Sequence, residues 1–286
     1  MTVRQDRLKF LLMRRSLILF AGVFLLLGTS CERRAWEKTT EVNTVEGYRQ
    51  YLKDNPEGKH VGDAWSMIEQ LRLQQAVWKN TMAAYEGYLK EFPRGKLHSF
   101  AVGYTMRLAD QEVRALTPEQ LDRMSAEIET SHGIFRFRFF GLDAPETCRN
   151  FIKLARAHFY DGLLFHRVVP DQLIQAGAPN ANPAAGPGYT IKFELNGHPQ
   201  MMGAVAMHHD RYPDSAGSQF YICLEDLPDR NYQYAVFGQV TEGMDVIAAI
   251  GRLKTNGPQG QPFPDRPLED VIIKRISILT PLEDKP

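Results

Sequence analysis

The stretch Phe165-His166-Arg167-Val168-Val169-Pro170, followed five residues after the proline by Gln175, holds the side chains best suited to chemistry. Arginine is permanently charged and offers five N–H donors in a fixed fork, so it can be aimed at a lone pair or a developing charge. Arg167 and Gln175 read as lying on one face of a barrel strand. Alone this is a weak signal, because an arginine on a strand more often solvates a face or meets a carboxylate. Two further motifs follow in order, Gly217-Ser218-Gln219-Phe220-Tyr221-Ile222 and Ala235-Val236-Phe237-Gly238-Gln239-Val240. Other candidates carry less. His208-His209-Asp210 suggests a metal, but adjacent strand residues point to opposite faces and do not easily chelate one ion. Gly186-Pro187-Gly188 reads as a turn, since it lacks the spaced glycines and the following Lys-Ser/Thr of a phosphate cradle. Gly257 to Pro267, with four prolines, reads as a surface loop. No metal and no cofactor is expected.

The elements that must position these residues are mostly short strands. From Ala126 the pattern has period two: Phe135, Phe137 and Phe139 alternate with Arg136 and Arg138. Asp143-Ala144-Pro145-Glu146-Thr147 opens a helix carrying Cys148, Phe151, Ile152, Leu154 and Ala155. Strands are predicted at Phe165–Val169, Ile174–Gly177, Ile191–Glu194, Ala204–Met207, Gln219–Leu224, Ala235–Val240 and Val271–Leu279, with a second helix at Met244–Ile250. Many short strands with few helices argue for a closed antiparallel barrel. Cys148 and Cys223 read as buried thiols, and His166 as structural with its imidazole hydrogen-bonded locally.

The three motifs, in this order, resemble the cyclophilin family of peptidyl-prolyl cis-trans isomerases over about residues 127–280. Glu129-Thr130-Ser131-His132-Gly133, the helix from Thr147 to Phe159, Tyr160-Asp161-Gly162 and Gly186-Pro187-Gly188-Tyr189-Thr190-Ile191 match collinearly. The resemblance implies a mainly β fold, a closed eight-stranded antiparallel barrel with two helices. It also implies rotation about X–Pro bonds. The barrier is about 18–20 kcal/mol because resonance gives the C–N bond double-bond character. A donor near the prolyl nitrogen favours the twisted state, in which that nitrogen regains its lone pair.

Matched by motif position, Arg167 is the catalytic arginine, and Gln175 holds the guanidinium and the substrate carbonyl. Gln219 and His209 bind substrate backbone. Leu173, Met207, Phe220 and Tyr221 line the proline pocket, and Tyr234 falls where the family commonly has histidine. The sequence departs from the pattern at several positions. Gln172 stands where a pocket phenylalanine is usual, Asp229 where an aromatic residue or histidine is common, and Tyr221 where phenylalanine is common. The segment between Met207 and Gly217 is one residue longer. Loss of an aromatic wall weakens proline burial by roughly 1–3 kcal/mol.

At 286 residues the chain is long enough for about two domains. Formal net charge is zero, but residues 1–30 carry five basic residues against Asp6, so the remainder is mildly acidic. That argues against nucleic acid as a partner, since phosphate binding needs a basic face. Arg14-Arg15 precede an apolar run from Ser16 to Gly28, too short for a spanning helix, and Thr29-Ser30-Cys31 follow. Residues 1–30 therefore read as a signal peptide, starting at Met1 or Met13. Small residues before Cys31 resemble a bacterial lipoprotein cleavage box, although Gly28 stands where leucine is usual. An ordinary signal peptide cut nearby is the alternative. On the lipoprotein reading Cys31 is lipidated, and the chain is anchored at the cell envelope. Glu32 after it favours the outer membrane, facing the periplasm, with no membrane contact beyond that lipid.

Residues 31–42 read as a polar tether. Beyond them the run from Asn43 to Lys53 recurs from Asn80 to Lys90, and Pro56, Gly58, Lys59 and Ala64 recur as Pro93, Gly95, Lys96 and Ala101, always 37 residues on. Tyr48, Tyr51 and Leu52 share a helical stripe, and Pro56 with Gly58 ends it. The period and helix-pair layout resemble tetratricopeptide-like repeats. A small all-α repeat domain is thus expected over residues 43–115, a linker over 116–126 and the barrel over 127–286. The repeat is read either as a docking module for a protein partner or as a spacer. The whole is read as an isomerase that assists folding of proline-containing envelope proteins. The alternative is a weakly active proline-peptide-binding module docked by its repeats.

Overall fold

The structure, a computed structural model, describes residues 32–280. The expected signal peptide and the lipidation position Cys31 lie outside the described residues. The chain divides into two compact units between Ala101 and Val102. Among the described residues no helix is long and apolar enough to cross a membrane.

The first unit contains α1 (residues 32–42), α2 (Val45–Asp54), α3 (Val61–Lys79), α4 (Met82–Glu91) and the start of α5 (His98–Arg114). Helices α2 and α4 begin and end 37 residues apart, and they start alike. Thr44 accepts from the Gly47 N–H and Thr81 from the Ala84 N–H, each satisfying a donor that the first helical turn leaves free. Residues 32–42, expected as a tether, are helical. The reason is a pair of residues at the same offset. The Glu32 carboxylate accepts from the Tyr51 hydroxyl (3.0 Å) and the Lys59 N–H (2.9 Å). The Glu69 carboxylate accepts from the Tyr88 hydroxyl (2.9 Å) and the Leu97 N–H (2.7 Å). Trp36 of α1 stacks on His60 at 4.6 Å and meets Tyr51 edge-on at 5.1 Å. Helix α1 thus holds, before α2, the place that α3 holds before α4. Gly95 is required in its turn, because a Cβ there would collide with the Glu69 carboxylate.

The second unit is built on β1 (Ser125–Thr130), β2 (Gly133–Phe139), β3 (Phe165–Val169), β4 (Leu173–Ala176), β5 (Ala204–Met207), β6 (Phe220–Cys223), β7 (Val236–Glu242) and β8 (Ile273–Leu279). All pairings are antiparallel, in the order β3-β4-β6-β5-β7-β2-β1-β8. The expected closed barrel is corrected to a curled half-barrel with β3 and β8 at its edges. The ends of these edges touch where Leu164 bridges Ile272, with backbone bonds from the Phe165 N–H to the Val271 carbonyl (2.9 Å) and from the Ile273 N–H to the Leu163 carbonyl (2.8 Å) beside it. Further along β3 the Val168 N–H donates to the Asp265 carbonyl at 2.8 Å, so a loop takes the bond that a closing strand would need. Ile191 makes one bridge to Ala216 and lies in no strand.

The expected linker is also part of this unit. Thr117 forms a reciprocal capping box with Gln120 at the start of α6 (Pro118–Asp122), and Leu121 and Met124 are buried in the core. The end of α5 contributes Val113 to the same core. Helix α7 (Pro145–Arg156) buries Cys148, Phe151, Ile152 and Ala155, which share one helical stripe. Helix α8 (Met244–Gly251) buries Ile247 and Ile250. One face of the sheet closes over these helices around Phe135, Phe137, Phe151, Phe220 and Phe237. The other face carries a smaller apolar patch of Leu173, Ala204, Ala206, Tyr221, Cys223 and Val236. Cys148 and Cys223 are buried free thiols.

Candidate active site

Strand register sorts the candidate residues. Arg167 of β3 pairs with Gln175 of β4, Gln175 with Tyr221 of β6, and Tyr221 with Ala206 of β5. Directly opposed residues share a face, so these four form one row across the sheet. The next row on that face holds Leu173 and Cys223. Val168, Ile174, Ile222 and Val205 point the other way, into the main core. Met207 pairs with Phe220, and both lie in that core at 1% and 0% exposure. Their expected place in a proline pocket is therefore corrected: strand alternation puts them on the face opposite Arg167.

Arg167 is half-buried. Its Nε and Nη2 donate to Asp265 Oδ2 at 3.3 and 3.2 Å. Asp265 is almost fully buried, so the loop that interrupts barrel closure also orients the guanidinium. Gln175 was expected to hold the guanidinium. Instead its Nε2 donates to Gln219 Oε1 at 3.0 Å, and Gln219 Nε2 donates to the Pro183 carbonyl at 2.7 Å. Gly177 has φ +94°, and a Cβ there would press on the backbone of Ser218 and Gln219. Glycine is what lets the end of β4 come this close to the Gln219 motif.

On the apolar side, Tyr221 donates its hydroxyl to Gln200 Oε1 at 3.0 Å and meets the Tyr234 ring edge-on at 5.4 Å. The Arg230 guanidinium lies over both rings, 5.6 and 5.5 Å from their centres. Tyr221 and Leu173 are 0% and 1% exposed. His209 stacks on Tyr234 at 4.7 Å, and its two ring nitrogens sit 2.8 and 2.7 Å from the carbonyls of Asp210 and Gln233. Its imidazole is thus committed to backbone, leaving its main chain as the part able to meet a peptide. Gln172 and Asp229 are exposed. A cavity of about 380 Å³ opens beside Gln219, between the Pro183–Thr190 loop and His208 to Asp210. Arg167, Leu173, Gln175, Gln219, Tyr221, Tyr234 and His209 are therefore assembled around one face. Asp265, Gln200 and Arg230 escaped the sequence reading. A partner for Arg167 was foreseeable in kind, but nothing in the Pro-rich loop singles out Asp265.

His166 lies at 3% exposure, and its ring nitrogens meet no partner in full hydrogen-bond geometry, though the Leu164 backbone and the Gln219 side chain lie close enough to favour its protonated form. Burial, then His208 and Arg167, pull its pKa down to about 4. Burial likewise pulls His208 to about 4, with His209, Arg167 and Arg230 adding and Asp210 opposing. Both are neutral at pH 7. In the unfolded chain each titrates near 6.5. Between about 6.5 and 4 the unfolded state therefore binds more protons, so stability falls as pH drops through that window and is level above it. The urea midpoint of the sheet unit is expected to decline from pH 7 to pH 5, and to decline less in His166→Leu. A level midpoint across that range would refute the assignment.

The family model described as cyclophilin type peptidyl-prolyl cis-trans isomerase/CLD matches residues 125–278. A peptidyl-prolyl cis-trans isomerase of Synechococcus elongatus is 43% identical over 127 residues, spanning 44% of this chain and 87% of its own. Peptidyl-prolyl cis-trans isomerase B of Bacillus subtilis is 46% identical over 111 residues, 38% of this chain and 77% of its own. The crystal structure of a cyclophilin type peptidyl-prolyl cis-trans isomerase from Cryptosporidium parvum superposes with a TM-score of 0.51 at 25% identity, covering 55% of this chain and 98% of that one. A second crystal structure of it, in the presence of the dipeptide Ala-Pro, matches equally.

Proposed function

This chain belongs to the cyclophilin-type peptidyl-prolyl cis-trans isomerase family and is such an enzyme; from that premise we propose that Arg167 drives the rotation. The observation that carries the reading is the row Arg167, Gln175, Tyr221, beside the apolar Leu173. A proline ring seated on the apolar side, with the Arg230 side chain displaced from the Tyr221 and Tyr234 rings, brings its nitrogen toward the Arg167 guanidinium. Asp265 engages Nε and Nη2, which leaves Nη1 as the donor to the prolyl nitrogen as its lone pair localises. Gln175 and Gln219, fixed to each other, present the remaining amide groups to substrate backbone. No covalent step is required, since the work is rotation of one bond.

The test is isomerisation of a series of X–Pro peptides by the full chain. Saturable acceleration over the uncatalysed rate, which takes tens to hundreds of seconds, is expected. One observation favours a second reading. The aromatic floor is covered by Arg230, so the face can act as a weakly active proline-peptide-binding module docked through its repeats. Peptide binding without acceleration in the same assay would select it.

The reading extends to location and clients. Residues 1–30 act as a lipoprotein signal, Cys31 carries lipid, and the enzyme assists folding of proline-containing envelope proteins. The support is the charge and apolar pattern ahead of Cys31. The tetratricopeptide-like repeats serve as a docking module, supported by the 37-residue recurrence. Cys31→Ser is expected to move the protein from the membrane to the soluble fraction. A variant that still sediments with membranes would sink the lipid anchor.

A further inference from the structure

The second unit has another cavity, of about 490 Å³, besides the one next to Gln219. It is lined by Asp110, Val113 and Arg114 at the end of α5, by Glu146, Arg149, Asn150 and Lys153 on α7, and by Tyr189 and Ile191. Its lining holds three cations against two carboxylates, and two of the cations are incompletely satisfied. Lys153 is largely buried, with its ammonium 4.1 Å from the centre of the Tyr189 ring and 3.6 Å from Asp110. Asp110 is shared, since it also takes Arg114 Nε at 2.6 Å. Burial holds the Lys153 ammonium below the usual lysine range despite Asp110. Arg149 donates from Nη1 to Glu146 and from Nη2 to the Leu116 carbonyl, but its Nε–H is buried and has no acceptor.

With an underpaired ammonium and a guanidinium that lacks one acceptor, the cavity wall carries a surplus of positive charge that one added negative group offsets. Val113, Ile191 and the Tyr189 ring give the same cavity an apolar wall. We propose that this cavity binds a small organic anion, a carboxylate or phosphate carried on an apolar body, with Lys153 and Arg149 as its charged contacts and Tyr189 and Ile191 as its apolar wall. The volume suits such a ligand. The site is separate from the isomerase face but tied to its edge. Tyr189 also lines the cavity beside Gln219, its hydroxyl donates to Asn150 Oδ1 at 2.8 Å, and Asn150 Nδ2 donates to the Gly217 carbonyl at 2.6 Å.

The experiment titrates the full chain with benzoate, phenyl phosphate, inorganic phosphate and neutral benzyl alcohol, following the Arg149 Nε–H and Tyr189 ring resonances by NMR. Saturable shifts of both by benzoate or phenyl phosphate are expected, and whichever binds tighter identifies the headgroup. Inorganic phosphate, lacking the apolar body, should bind more weakly. Lys153→Gln, with a melting curve like the parent's, should weaken binding by about tenfold or more. No saturable shift with either organic anion would overturn the proposal, as would equal shifts from benzyl alcohol. Undiminished affinity in a folded Lys153→Gln variant would do the same. These readouts use the parent chain's resonances and are independent of isomerase turnover.

Discussion

Arg167→Ala should lower kcat/KM for X–Pro peptides by about 10²–10³, the scale found when one preorganised donor to a transition state is removed. The fold should persist, because Arg167 is one-third exposed and its strand stays tied to the loop by the Val168 N–H to Asp265 carbonyl bond. The substitution leaves the Asp265 carboxylate buried without its cation, which costs about 1–3 kcal/mol of stability. Comparing rate and melting curve therefore separates the two roles. Arg167→Lys keeps the charge but loses the two-nitrogen grip on Asp265, so it should recover stability more fully than turnover. Asp265→Asn should slow turnover less than Arg167→Ala, since it loosens the guanidinium without removing it. An unchanged isomerisation rate in Arg167→Ala would end the arginine mechanism, while the family fold would stand.

Local chemistry was legible in the sequence, and long-range partnership was not. The strands Phe165–Val169 and Ala204–Met207 have the bounds that their apolar runs suggest. The 37-residue recurrence likewise sets the ends of α2 and α4. Glu32 and Glu69 stand at that same offset, so the helical character of residues 32–42 was present in the numbering. It was hidden because a glutamate's role depends on a tyrosine 19 residues away. Met207 and Phe220 show a different failure. Motif position brought them to the site, but period-two alternation places each opposite the other in the main core. Asp265 sits 98 residues from Arg167, in a loop without periodicity, and only the folded backbone brings them together. The same loop occupies the open side of β3 through the Val168 N–H to Asp265 carbonyl bond, which no count of strands reveals.

The largest loss of stability is expected at Phe151. It is fully buried on α7 and touches five other rings: Phe137 at 5.4 Å, Phe139 at 5.9 Å, Tyr160 at 5.1 Å, Phe220 at 5.3 Å and Phe237 at 5.3 Å. Three of these meet it at interplanar angles of 61–83°, in which ring edge and ring face attract beyond simple burial. Phe151→Ala removes that hub and leaves a cavity that surrounding strands cannot fill, so a loss of about 3–5 kcal/mol is expected. In a unit of this size that lowers the melting temperature by roughly 10 °C. Phe151→Leu, which keeps most of the volume, should cost less than half as much. Turnover should also fall in the alanine variant below its melting point. Phe220, which loses its neighbour, lies between Gln219 and Tyr221 on the strand that carries both toward the substrate face. A cavity beneath that strand frees it to shift, and placing a donor against a rotating bond tolerates little displacement. Equal melting temperatures for Phe151→Ala and the parent chain would mean that the aromatic cluster does not support the site.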